Sequence, residues 1–200
     1  MKIKQIIKKV WSIEANRYII KHFSVFCIVN IIFHFIYWNT NMNSWLFGPF
    51  TTEVFDFFTR LAYEGTHILL KAFSPHTFDA EGLSFYFYDN LGYYGTVTII
   101  HDCSAIKQCM QFLLAMIFCP NKWYKKLLCF LIGSIIILLC NILRCYLLSE
   151  VLASGGDFDY MHDWVARPIM YVIILALWFV WIEFFSRKKK TKNENVQDIH

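Results

Sequence analysis

The sequence predicts a mainly α, polytopic membrane protein: about four transmembrane helices, an extracytoplasmic amphipathic helix and a short β-hairpin. Three observations carry this. Of the 200 residues, 57% are hydrophobic and only 17% charged, where a soluble domain has about 45–50% and about 25%. The apolar residues fall into blocks near the roughly 20 residues that a spanning helix needs. The basic residues cluster on alternate sides of those blocks.

Residues 1–18 carry Lys2, Lys4, Lys8, Lys9 and Arg17 and form the first basic segment. Block one, 19–38, is too long for the apolar region of a signal peptide, and no small-x-small cleavage site follows it. Block two, 103–119, is the weakest, because Lys107, Gln108 and Gln111 lie in its first half. Block three, 127–148, is the cleanest and holds one charge, Arg144, near its end. Block four is 169–185, and a basic tail follows at 187–200. The first segment, the loop with Lys122, Lys125 and Lys126, and the tail hold thirteen of the 19 basic residues. Acidic residues concentrate instead in 39–102 and 149–163. The positive-inside rule then puts both termini and the 120–126 loop in the cytoplasm, and 39–102 and 149–163 outside a cytoplasmic (inner) membrane. The net charge of +4 is a topology signal. The basic residues flank spans and form no aromatic-interleaved patch, so no nucleic-acid partner is expected.

Within the outer segment, 52–73 reads as an amphipathic helix. Val54, Phe57, Phe58, Leu61, Ile68 and Leu69 lie along one face, and Glu53, Asp56, Arg60, Glu64, His67 and Lys71 along the other. It is read as lying at the outer interface rather than as a fifth embedded helix. Ser74-Pro75 ends it. Strands at 83–88 and 96–100, separated by the turn-rich residues 89–95, read as a hairpin. Its second strand delivers the chain to His101-Asp102-Cys103.

Polar residues at a membrane are candidates for function. Cys103 opens block two where extended chain becomes helix, and a helix N-terminus favours thiolate over thiol. Asn141 and Arg144, three apart, share a helical face near the outer end of block three. His162 precedes block four. The topology thus brings a thiol, a guanidinium and an imidazole to one membrane face. His162 can take the thiol proton and return it to a leaving amine. Arg144 can bind a carboxylate or stabilise an oxyanion, and Asn141 can orient Arg144 or add a donor. Asp102, Asp157, Asp159 and Asp163 are possible imidazole partners. Taken singly, each residue has a plainer reading: Cys103 as a small apolar residue, Arg144 as a snorkelling anchor, His162 as a loop residue. No metal site or cofactor is expected, since the chain lacks C-x-x-C, H-x-x-x-H and phosphate-loop spacings. The acidic run at 157–163 reads as a solvated loop.

Asp102-Cys103-Ser104-Ala105-Ile106 at the outer start of a span resembles the nucleophile motif of exosortases and archaeosortases. Asn141-Ile142-Leu143-Arg144 resembles their N-x-x-R motif, and His162 their third essential position. The likeness covers about residues 95–186, and 103–186 is taken as the catalytic core; the outer segment before it is similar only in a general way. The chain departs at Ala105, where the family usually has glycine. The resemblance implies a membrane cysteine protease-transpeptidase with Cys103 as nucleophile, His162 as acid/base, and Arg144 at the thiolate, oxyanion or substrate. Asn141, Asp102 and Ser104 are the supporting positions. It also implies membrane-anchored protein substrates with a C-terminal sorting signal, cut outside the membrane to an acyl-enzyme and passed to a lipid or glycan acceptor. Two rivals stand beside it. One is a membrane thiol-disulfide oxidoreductase using a Cys103–Cys145 pair. The other is a non-catalytic membrane assembly protein whose working part is the outer helix and hairpin.

Overall fold

The computed structural model describes residues 14–39, 49–89, 92–118 and 122–182. Most of the basic N-terminal segment, the tail 187–200 and the hairpin tip at 90–91 lie outside them. The order is α1 (Glu14–Asn39), α2 (Pro49–Phe73), three strands β1 (Thr77–Glu81), β2 (Ser84–Asp89) and β3 (Gly92–Thr98), a single 3-10 turn His101–Cys103, then α3 (Ile106–Ile117), α4 (Trp123–Ala153) and α5 (Phe158–Trp181).

Among the described residues, α4 and α5 are long and apolar enough to cross a membrane. Only 17% of α4's most apolar stretch and 28% of α5's is buried within the protein. Leu131, Ile135, Leu139 and Leu143 of α4 are all exposed. A soluble protein would bury that surface; a bilayer solvates it. α3 has 12 residues, about 18 Å at 1.5 Å per residue, well short of the roughly 30 Å hydrocarbon core. The block-two expectation of a full span at 103–119 is therefore not met by helix alone. A 3-10 turn occupies its first residues, and Lys126 Nζ donates to the carbonyl of Ile117 at 2.8 Å, capping α3 at its C-terminal end.

Side chains from α1, α3, α4 and α5 make an inner core. Phe112, Ile137, Met170, Ile174, Trp178 and Trp181 are buried in it, with Phe26 of α1 tilted against Trp178 at a ring distance of 5.0 Å. α3 and α4 approach closely because position 133 is glycine. A Cβ there would overlap the ring of Phe112.

An outer core joins α2, the sheet and the end of α4. β1, β2 and β3 form an antiparallel meander. Residues alternate in and out along β2, so Phe85 and Phe87 face inward. Phe85 stacks on Tyr63 of α2 at 4.8 Å. The expected hairpin is thus part of a larger sheet. β1 falls outside the expected hairpin: TFDAE alternates polar and apolar residues, but it is only five residues long, mostly exposed, and carries Asp, Ala and Glu, which are poor strand formers. Gly92–Gly95, expected in the turn, belong to β3, with an irregularity opposite Phe87 and Tyr88. The β1–β2 turn is two residues long, and Gly82 supplies its φ of +61°.

α2 forms where the sequence predicts it and ends before Ser74-Pro75, but it packs with a different face. The buried residues are Phe55, Thr59, Ala62, Tyr63, Thr66 and Leu70. Phe57, Leu61 and Ile68 of the expected apolar face are exposed. Small residues let α2 lie close to α4: a Cβ on Gly65 would stand 2.6 Å from Ile142 Cδ1. The buried hydroxyls cost little, since Thr59 and Thr66 donate to the carbonyls of Phe55 and Ala62, each at 2.7 Å. Close approach decides this interface, as it commonly does between helices in membranes.

α5 starts earlier than block four. Asp157 caps it, accepting from the Tyr160 backbone N–H at 2.9 Å. Residues Met161–Ala166 form a π-helical stretch. His162 is therefore helical, and the connection from α4 is short.

Candidate active site

A cavity of about 290 Å³ opens between α1, α3, α4 and α5, lined among others by Asp102, Cys103, Lys107, Arg144, His162 and Arg167. Each wall follows from local structure. After β3 the chain makes the 3-10 turn His101–Cys103, with Cys103 N–H donating to Ile100 O at 2.8 Å and Ser104 N–H to His101 O at 3.0 Å. α2 braces the turn from outside. His101 Nε2 donates to Asp56 Oδ1 at 2.7 Å, and the His101 ring lies 5.7 Å from that of Phe55.

Ala105 then adopts φ +62°, ψ −10°, the left-handed conformation that costs an L-residue about 1–2 kcal/mol and glycine almost nothing. This gives a backbone reason for the glycine expected from the family resemblance. The left-handed residue turns the chain into α3 directly after the thiol. The first amides of α3 have no acceptor within their own helix, so the positive end of that helix lies beside Cys103.

α4 supplies the second wall. Asn141 is fully buried. Its Nδ2 donates to the carbonyl of Cys103, and its Oδ1 accepts from Arg144 Nη1 at 3.3 Å. One side chain thus ties the Cys103 turn to the guanidinium, which is the physical content of the N-x-x-R spacing. Arg144 Nη2 donates to His162 Nε2 at 3.0 Å. A guanidinium has no lone pair to offer, so Nε2 is the acceptor and the imidazole proton sits on Nδ1. That proton is donated to Asp163 Oδ1 at 2.7 Å. Of the four aspartates considered for this part, Asp163 takes it, and Asp157 is a helix cap. Arg167 Nη1 holds the same carboxylate oxygen at 3.1 Å, and Phe158 stacks on the imidazole, nearly parallel, at 5.7 Å. The chain Asn141–Arg144–His162–Asp163–Arg167 is continuous.

Asp102 lines the cavity and lies close enough to Lys107 to interact with it electrostatically. Ser104 is buried and is absent from the cavity wall. Cys103 and Cys145 are both free thiols. No group of His, Cys, Asp and Glu suited to a metal occurs among the described residues. Lys107, Gln108, Arg167 and the pair His34–Tyr171 were not anticipated as site residues, yet all line the cavity. Tyr171 Oη lies 3.4 Å from His34 Nδ1. Lys107 and Gln108 were visible as polar interruptions of an apolar block, and that interruption was the signal.

The fold and cavity define a helical membrane protein with a thiol, a guanidinium and an imidazole on one cavity. A family model described as transmembrane exosortase matches residues 31–180, more than half of the chain, and the chain belongs to the transmembrane exosortase family. That family is in general one of membrane cysteine peptidases and transpeptidases. No curated protein and no solved structure matches the chain.

Proposed function

We propose that this protein cleaves C-terminal sorting signals of exported, membrane-anchored proteins at the outer face of the cytoplasmic membrane. It does so through a Cys103 acyl-enzyme and transfers the new carboxyl terminus to a lipid or surface acceptor. The observation that carries the reading is the Arg144–His162 contact at 3.0 Å on the cavity that Cys103 also lines. As the scissile carbonyl draws the Arg144 guanidinium to itself, Nη2 leaves His162 Nε2, and the freed lone pair takes the thiol proton as the sulfur adds to the carbonyl. The N–H groups of Cys103 and Ser104 are committed within their turn, so Arg144 is the donor for the oxyanion. Collapse breaks the C–N bond, and His162 protonates the leaving amine. An acceptor amine or hydroxyl, deprotonated at Nε2, then attacks the thioester and expels the thiolate.

The topology proposed with this has 1–18 and 187–200 in the cytoplasm and 39–102 outside. Four segments cross, with 103–186 as the catalytic core. Support comes from depth. Asn141 lies 18 residues beyond Trp123, the first residue of α4. At 1.5 Å per residue this is about 27 Å, close to the thickness of the hydrocarbon core. A site at Asn141 is therefore one membrane away from the basic loop.

In intact cells, a membrane-impermeant maleimide should label Cys103 and spare the buried Cys109 and Cys145. Labelling that requires detergent unfolding sinks the outer-site model. Cys103→Ala should abolish cleavage of a co-encoded protein ending in a short motif, an apolar span and a Lys/Arg run. A gel-shift assay for that protein reads the loss.

A further inference from the structure

Two cavity-lining residues carry a buried polar atom that has no hydrogen-bond partner among the described residues: Gln108 at Oε1 and Arg144 at Nε. Both side chains are more than nine-tenths buried, with Gln108 at 7% and Arg144 at 9% exposure. Such atoms are rare in folded proteins, because burying one without a partner is costly. One is an acceptor on α3 and the other a donor on α4. A peptide group is planar and trans, with its N–H and C=O directed to opposite sides. It therefore needs an acceptor from one wall and a donor from the other, and Gln108 and Arg144, which line the cavity from α3 and α4, carry that pair.

We propose that Gln108 is a substrate-positioning residue. Its carboxamide oxygen accepts the N–H of a peptide group beside the scissile bond, and the carbonyl of that group takes Arg144 Nε–H. This rests on the reading of Cys103 as nucleophile and adds that the enzyme grips the substrate main chain rather than a side chain alone. Gln108 lies five residues after the thiol and less than one turn into α3, on the same cavity as Cys103. Gln111 is the internal contrast. It is buried on the same helix with an unpartnered Oε1, but it is absent from the cavity wall.

The test uses the full chain in phospholipid nanodiscs and two electrophiles, an iodoacetyl dipeptide amide and the same compound N-methylated at its first amide. Alkylation of Cys103 is followed site by site by mass spectrometry, each rate normalised to that with glutathione. The wild-type protein should react about tenfold faster with the N–H probe, the worth of one hydrogen bond. Gln108→Met should bring the two rates together. Gln108→Glu, which keeps an acceptor, and Gln111→Met should both retain the preference. A preference that survives Gln108→Met, or vanishes equally in Gln111→Met, overturns the assignment, as does a wild-type protein that does not discriminate. If neither probe modifies wild-type Cys103, the nucleophile reading fails first and the Gln108 assignment falls with it.

Discussion

The inner core is closed by large rings meeting a single glycine, whereas the outer core is closed by small residues and hydroxyls. Inside, Phe112 fills the space over Gly133, and Trp178 and Trp181 complete the packing. Outside, Thr59, Ala62 and Thr66 bring α2 against α4, and Ser149 of α4 donates to its own helix at Cys145 O, 2.9 Å away. The inner arrangement has no slack, because a fully buried ring cannot move aside. The outer one has some, since Ile142 opposite Gly65 is only partly buried, although its γ carbons as well as its Cδ1 lie against the glycine. The cavity sits between the two, with Cys103 packed on the outer core and Met170 on the inner.

Four outcomes break or sharpen that contrast. The largest concerns the cavity itself. On the proposed mechanism, Asp163→Asn should lower cleavage of a sorting-signal substrate about a hundredfold, because loss of the carboxylate releases the His162 tautomer. Thermal stability should barely change, since Asp163 and its Arg167 pair are half exposed. Gly133→Ala should cost about 1–3 kcal/mol by overpacking a rigid ring, seen as a fall in melting temperature in detergent. Gly65→Ala should cost less than that, about 1 kcal/mol, because the partly buried Ile142 can yield by a small shift of the helix although its χ1 stays fixed. Equal losses at the two glycines would show that the cores do not differ in stiffness. The smallest effect is a gain. Ala105→Gly relieves the left-handed strain but frees the unfolded chain, leaving a net stabilisation of at most about 1 kcal/mol. A fall in melting temperature would mean that the alanine methyl, 1% exposed, contributes more packing than its conformation costs.

The long helices and the polar residues of the cavity stand out in the sequence for opposite reasons. α4 shows itself by an apolar run, 127–140, that no charge interrupts, and Cys103, Arg144 and His162 by polarity where it is costly. What stayed hidden depends on shape. Between Phe55 and Leu70 the packed face of α2 is built from Thr, Ala, Gly and Tyr, which a count of apolar periodicity passes over. β1 is hidden because its partner strand, rather than its own residues, makes it a strand. Asp163 could not be told from its neighbours Asp157 and Asp159, because only the π-helical backbone decides which of them meets the imidazole. Gln108 looked like a flaw in a span, and only a cavity beside it gives it another meaning.

That π-helical stretch has a mechanical consequence. A π turn holds more residues than an α turn, so Met161–Ala166 rotates everything after it about the α5 axis. Met170, Ile174 and Trp178 reach the inner core in that rotated setting. Winding that stretch as ordinary α-helix without losing a residue would turn those three side chains by about 100°, off the core and toward lipid, whereas deleting one residue between His162 and Ala166 at the same time would restore their facing. His162 and Trp178 are geared together like two wheels on one shaft, and a change in the setting of the first is felt at the second.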